Sequence, residues 1–132
     1  MKIDGRCHCG RISFTAEVDP ARVAVCNCAD CQVLSGSAFR VSVPAPVERF
    51  ALRGEPKRYV KVAQSGNHRV QAFCPDCGTP LFASATEGAT QVMIRTGCVV
   101  QRAELEPREQ IWTASALPWV SRVHALPDAG QR

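Results

Sequence analysis

Eight cysteines lie in this 132-residue chain, and seven of them fall in tight clusters: Cys7-x-Cys9, Cys26-x-Cys28-x2-Cys31 and Cys74-x2-Cys77, with Cys98 alone. Thiols so close in sequence do not readily bridge to one another, because a disulfide needs a particular separation and direction of its Cα atoms. They converge easily on one metal ion. Zinc takes four tetrahedral ligands, and a Cys-x2-Cys turn offers two thiolates to one ion. In FCPDCGTPLF, residues 73–82, Pro75 stiffens such a turn. Gly78 can take the positive φ that turns backbone N–H groups toward the sulfurs. Two zinc ions are therefore expected, rather than a framework of disulfides.

The economical partition is four plus three. Cys7, Cys9, Cys74 and Cys77 would close an all-sulfur structural site. Cys26, Cys28 and Cys31 would form a second zinc site one ligand short, the pattern of catalytic zinc, whose remaining ligand is water or substrate. Spacing leaves two alternatives open. Cys28 and Cys31 can instead pair with Cys74 and Cys77 as in a zinc ribbon, and Cys98 can either complete the second site or be a buried thiol.

A zinc ion on three thiolates is a weak Lewis acid, yet it can hold an incoming thiol as its thiolate. Such a site can hold a small thiol ready as a nucleophile, with proximity and orientation as the main contribution. The segment SGSAF, residues 35–39, is a candidate floor for the substrate, or an ordinary glycine turn. Arg40, Arg58 and Arg95 are candidate partners for carboxylates on such a thiol, although each taken singly reads as a solvated strand residue. Trp119 either covers the site or fills a core or interface. His8, His68 and His124 read as structural or exposed. The competing reading is a zinc-stabilised binding module without turnover, with both metal sites structural.

The elements that must position these clusters are mostly strands. Residues 11–18, RISFTAEV, alternate Ile12, Phe14, Ala16 and Val18 against Arg11, Ser13, Thr15 and Glu17. With KIDGRC before it, this segment forms a hairpin whose turn is the Cys7–Gly10 knuckle. Further strands are expected at 22–26, 38–43, 47–53, 58–63, 69–74, 80–84 and 91–96. Turns are expected at Asp19-Pro20, Pro44 to Pro46, Gly54 to Pro56, Ser65 to Asn67 and Glu87-Gly88. One short turn of helix fits residues 29–34.

The length suits a single zinc-binding domain over residues 1–124, with a frayed tail at 125–132. No apolar run reaches membrane-spanning length, and MKIDGRCHCG has no apolar signal core, so the expected compartment is the cytoplasm. The formal charge of +4 counts every cysteine as a neutral thiol. Seven thiolates subtract seven and two Zn²⁺ restore four, which leaves +1 and no case for nucleic acid as a partner.

In order, GRCHCGRISF (5–14), CNCADCQVLSGSAF (26–39), RVQAFCPDCGTPLF (69–82), RTG (95–97) and IWTASALPWV (111–120) make the chain similar to the glutathione-dependent formaldehyde-activating enzyme family, which includes centromere protein V. The resemblance implies a β-tent of small antiparallel sheets, a structural zinc on Cys7, Cys9, Cys74 and Cys77, and a second zinc on Cys26, Cys28 and Cys31. For the founding members it implies condensation of formaldehyde with glutathione into S-hydroxymethylglutathione, a carbon–sulfur lyase reaction. Two positions depart from the family pattern. Asn27 stands where a His is usual inside the triple cluster, and Gln110 stands where a His commonly precedes the terminal Trp motif. Each removes an imidazole near the second site.

Overall fold

A computed structural model describes residues 1–63 and 65–131. Two sheets carry the chain. The smaller has three strands in the order β1-β2-β5: β1 (Lys2–Arg6), β2 (Ser13–Glu17) and β5 (Phe50–Arg53). The larger has seven, in the order β10-β3-β4-β9-β8-β7-β6. Its members are β3 (Ala24–Cys26), β4 (Arg40–Pro46), β6 (Lys57–Val62), β7 (His68–Phe73), β8 (Pro80–Ala85), β9 (Gln91–Arg95) and β10 (Glu109–Ile111). Every pairing is antiparallel except β10 on β3. One helix, α1 (Ala29–Ser35), follows β3. The fold is mainly β, built of antiparallel sheets, as expected. No described helix is long and apolar enough to cross a membrane.

The alternation in 11–18 does what its period demands: Ile12, Phe14, Ala16 and Val18 are all buried, while Arg11 and Thr15 are exposed. β1 pairs with β2 as the predicted hairpin, with Gly5 opposite Phe14. A Cβ on Gly5 would lie 2.0 Å from the Phe14 ring, so only glycine lets that ring lie across the strand. Phe14 then meets Phe50 at 5.3 Å between centroids, and Phe50 meets Phe82 at 5.1 Å. These aromatic contacts join the small sheet to the large one.

Across the large sheet, Val43, Ile94, Phe82 and Ala72 lie in one cross-strand row on the core face. The next row, Pro44, Met93, Ala83 and Gln71, belongs to the opposite face, as do Ser42 and Arg95. On that second face Ser42, Gln71 and Ala83 are nevertheless buried. The face forms the floor of a cavity.

Two expectations need correction. Residues 44–46 do not turn; they continue β4. β3 pairs with β4 only at residues 40–42, so beyond Ser42 one side of β4 has no neighbour. Val47 N–H donates to Thr90 O across the β9 side, 3.1 Å. By alternation, Pro44 and Pro46 direct their missing N–H toward the unpaired side, where no ladder bond is lost. The strand expected at 47–53 begins at Phe50, because Val47–Arg49 form a 3₁₀ turn first.

Candidate metal centres

The first cluster is assembled by two knuckles of the same design. After β1, Cys7 N–H donates to Ile12 O at 2.9 Å and Gly10 N–H to Cys7 O at 3.0 Å. After β7, Cys74 N–H donates to Thr79 O at 3.0 Å and Gly78 N–H to Cys74 O at 2.9 Å. Gly10 and Gly78 both have positive φ, 82° and 77°. A bulge between Ala72 and Phe73 leads the chain into the second knuckle. Contacts join the knuckles directly: His8 N–H donates to Thr79 Oγ1 at 2.9 Å, Arg11 pairs with Asp76 at 2.6 Å, and the Cys9 N–H donates to the Cys77 thiol.

The sulfurs of Cys7, Cys9, Cys74 and Cys77 lie within 4.8 Å of one another. Cys7 and Cys9 are 3.6 Å apart, and Cys9 and Cys74 are 3.8 Å apart. A tetrahedron with Zn–S bonds of about 2.3 Å has edges of about 3.8 Å, which these two spacings match, so the donor set suits zinc. Their acidities are driven apart. The Thr79 hydroxyl heads the groups that hold Cys77 down at about 5. The Arg11 N–H favours the Cys9 thiolate, but the neighbouring sulfurs outweigh it and push Cys9 up to about 12. Crowded thiols cannot all ionise alone, and a divalent cation removes that conflict.

The second cluster is local. Cys26 ends β3, Cys28 is the N-cap of α1, and Cys31 lies in the helix's first turn. Cys28 Sγ accepts the Cys31 N–H at 3.3 Å, so the cap itself fixes one sulfur. α1 closes on Gly36 in the left-handed region, φ 65°. The three sulfurs lie within 4.8 Å of one another, and among the described residues no further His, Cys, Asp or Glu joins them. Burial raises Cys26, and burial followed by the Cys26 thiol pushes Cys31 up to about 12. Cys28 goes the other way: burial would raise it, but the Cys31 N–H and the flanking thiols together outweigh that. The donor set suits zinc here as well, with three protein ligands instead of four.

The fold thus brings together Cys7, Cys9, Cys74 and Cys77, and separately Cys26, Cys28 and Cys31; the zinc-ribbon pairing is absent. Cys98 joins neither cluster. It packs against the core, its Sγ donates to Arg95 O at 3.1 Å, and burial pushes it up to about 11.

The triple cluster opens on a cavity of about 410 Å³ lined by all three of its cysteines. Four cations line it, Arg40, Lys61, Arg69 and Arg95, against one carboxylate, Asp30. Lys61 and Arg69 are directly opposed across β6 and β7, and Asp30 pairs with Lys61 at 2.9 Å. Arg40 is only 6% exposed. Burial and then the nearby Arg40 charge push Arg95 down to about 9, so it is still cationic at neutral pH. Arg40 and Arg95 are therefore not the solvated strand residues that each resembles singly. Arg58 is elsewhere, 5.7 Å above the Phe82 ring. SGSAF is not the cavity floor either: it caps α1 and returns the chain to β4, and Ser35, Ser37 and Phe39 line a different cleft. At the cavity edge stand Ile111 and Trp112, not Trp119. Trp112 has φ 56°, uncommon for a bulky residue.

A sequence profile described as glutathione-dependent formaldehyde-activating enzyme matches residues 2–115. The chain belongs to this family. A crystal structure of a Rhodobacter sphaeroides protein superposes with a TM-score of 0.62 at 17% identity, over 81% of this chain and 98% of that one, a likeness of fold. No curated protein matches the chain.

Within this family member the two unusual positions touch. Asn27, 2% exposed, donates from Nδ2 to Gln110 Oε1 at 3.3 Å and to Ile111 O at 3.1 Å. Its backbone N–H also donates to Ile111 O, 3.1 Å. Gln32 ties the same region together, donating to Asn27 O at 2.9 Å and Ser115 O at 3.0 Å. Amides thus hold β10 and the Trp112 segment against the triple cluster.

Proposed function

We propose that this chain is a zinc-dependent carbon–sulfur lyase acting on the adduct of formaldehyde with glutathione or a related thiol, within one zinc-binding domain over residues 1–124. The observation that carries the reading is the contrast between the clusters. One has its full set of four sulfurs, whereas three sulfurs open on a cationic cavity. In this reading Cys7, Cys9, Cys74 and Cys77 hold a structural zinc, and Cys26, Cys28 and Cys31 hold the second. When bound at the triple, zinc supplies a Lewis acid that keeps an incoming thiol in its thiolate form.

The rest is done by the chain. Arg69 and the Asp30-paired Lys61, on the outer strands β6 and β7, draw an anionic thiol into the cavity and take its carboxylates. The Cys28 cap fixes the cluster on the end of α1, so the reacting sulfur has one approach. Ile111 and Trp112 narrow the entrance and keep water from the reacting pair.

The test is exchange spectroscopy by NMR on formaldehyde, glutathione and their adduct, with protein carrying both zinc ions. Interconversion faster than the spontaneous rate is expected. An unchanged rate would refute the activity and leave a zinc-stabilised binding module.

A further inference from the structure

Arg40 and Arg95 pose an electrostatic problem that the thiol reading does not absorb. Both line the floor of the cavity, on neighbouring strands, and both donate to the same acceptor. Arg40 Nη1 reaches Gln71 Oε1 at 3.2 Å and Arg95 Nη2 reaches it at 2.7 Å, while Arg95 Nη1 donates to Ser42 Oγ at 2.9 Å. A neutral amide and a hydroxyl are thus what these two guanidiniums are given. Among the described residues no carboxylate forms an ion pair with either. Two like charges held side by side out of water are costly unless an anion joins them. Nor does the cluster account for both. A divalent ion on three thiolates carries one net negative charge, and with Asp30 it meets two of the four cations, leaving two positive charges over.

We propose that Arg40 and Arg95, braced by Gln71 and Ser42, form a receptor for a carboxylate borne by the carbonyl reactant, so that the site takes a small 2-oxo acid with an aldehyde carbon. This rests on the thiol–aldehyde reading above. Position favours the carbonyl reactant over the thiol. Arg40 lies directly opposite Cys26 in the β3–β4 register, so the receptor adjoins the reacting centre. The carboxylates of glutathione sit several bonds from its sulfur and suit Arg69 and Lys61 on the far strands. In a 2-oxo acid the carboxylate is bonded directly to the carbon attacked. The step is balanced without an oxidant: the C–S bond forms as the carbonyl π pair moves onto oxygen, and the proton lost by the thiol returns to that oxygen.

The test begins with binding alone. Glyoxylate and glycolaldehyde, an anionic and a neutral two-carbon aldehyde, are titrated calorimetrically into zinc-loaded protein without thiol. Glyoxylate should bind about 10- to 100-fold more tightly, the worth of charge-assisted hydrogen bonds, and Arg95→Gln should erase the preference. Gln71→Glu guards against a variant that merely misfolds. By placing a carboxylate of its own in the receptor, it should raise Tm and abolish glyoxylate binding. Equal affinities in the unmodified protein, or a Gln71→Glu protein that melts lower and still binds glyoxylate, would overturn the proposal. Turnover with 2-mercaptoethanol, which lacks a carboxylate, then assigns the source. A preference for glyoxylate that persists supports the carbonyl reactant, and one that disappears overturns it. Arg95-dependent glyoxylate binding without acceleration of any thiol–aldehyde pair keeps the receptor and removes the lyase. Acceleration with formaldehyde but no discrimination in binding does the reverse.

Discussion

Cys77→Ser should collapse this fold, and Cys28→Ser should not. Apart from a metal, the two knuckles of the four-sulfur cluster are joined directly by the His8–Thr79 hydrogen bond, the Cys9 N–H on the Cys77 thiol and the exposed Arg11–Asp76 pair. These hydrogen bonds and the solvent-screened pair are weak beside a metal site. A structural zinc contributes on the order of 10 kcal/mol, against about 5–15 kcal/mol for the whole stability of a small domain. Losing one thiolate should therefore remove at least about 5 kcal/mol, enough to leave much of the chain unfolded. The triple cluster lies within residues 26–31 and spans no long-range connection. Cys28→Ser also replaces one N-cap acceptor with a better one, so the helix cap should change by less than about 1 kcal/mol. Urea unfolding followed by circular dichroism, with zinc counted per chain, separates the two variants. A Cys77→Ser protein that keeps both ions and unmodified stability would refute the division of labour, as would a Cys28→Ser protein that unfolds just as badly.

Other outcomes follow from single contacts. Gly5→Ala should destabilise by about 1–3 kcal/mol in chemical denaturation, since the new methyl meets the Phe14 ring; a stabilised protein would mean that the ring is free to move. Zinc affinity at the triple cluster should fall about a hundredfold or more for each pH unit lowered between pH 9 and 6. Cys31, pushed up to about 12, and Cys26, raised by burial, each give up a proton on binding, and chelator competition across that range measures the slope. A flat profile would mean that neither is a ligand. Asn27→Leu should cost about 1–3 kcal/mol and speed amide exchange in β10, because the Asn27 amide anchors Ile111 and Gln110; unchanged exchange would show the anchor to be idle. Glutathione capture should slow several-fold between 0.01 and 0.5 M salt as the cavity cations are screened, and stopped-flow rates independent of salt would argue against steering.

Much of the framework is written in local pattern. The period-2 run at 11–18 has one buried face, so its strand and its register follow from side chains alone. The knuckles are legible because glycine follows the ligands where φ must be positive. β10 is not legible: Glu109, Gln110 and Ile111 are all exposed, and the strand exists through pairing with β3, more than 80 residues earlier. The cavity was misread for a related reason. Alternation marks one face of a strand as polar without telling solvent from a lined pocket, so Arg40 and Arg95, although candidate carboxylate partners, each read singly as solvated, and Lys61, Arg69 and Gln71 carry no signal of their own. Pro44 and Pro46 misled because proline reads as a turn until the neighbouring strand's end is known. Trp112 carries no local signal for its left-handed backbone.

The span between the two halves of the four-sulfur cluster has a consequence during synthesis. Cys9 and Cys74 are 65 residues apart, a stretch that takes a ribosome roughly 3–13 s at ordinary rates of elongation. In that interval Cys26, Cys28 and Cys31 emerge and are able to take up metal on their own. Cys7 and Cys9 meanwhile wait beside three competing thiols, and any ion shared among those five is held by the wrong set. The four-sulfur set cannot form before β7 and its knuckle arrive, so an ion captured early through Cys7 or Cys9 must be released or exchanged before the chain can finish folding. Abundant free zinc at that stage would slow maturation, and a thiol buffer that keeps early capture reversible would speed it.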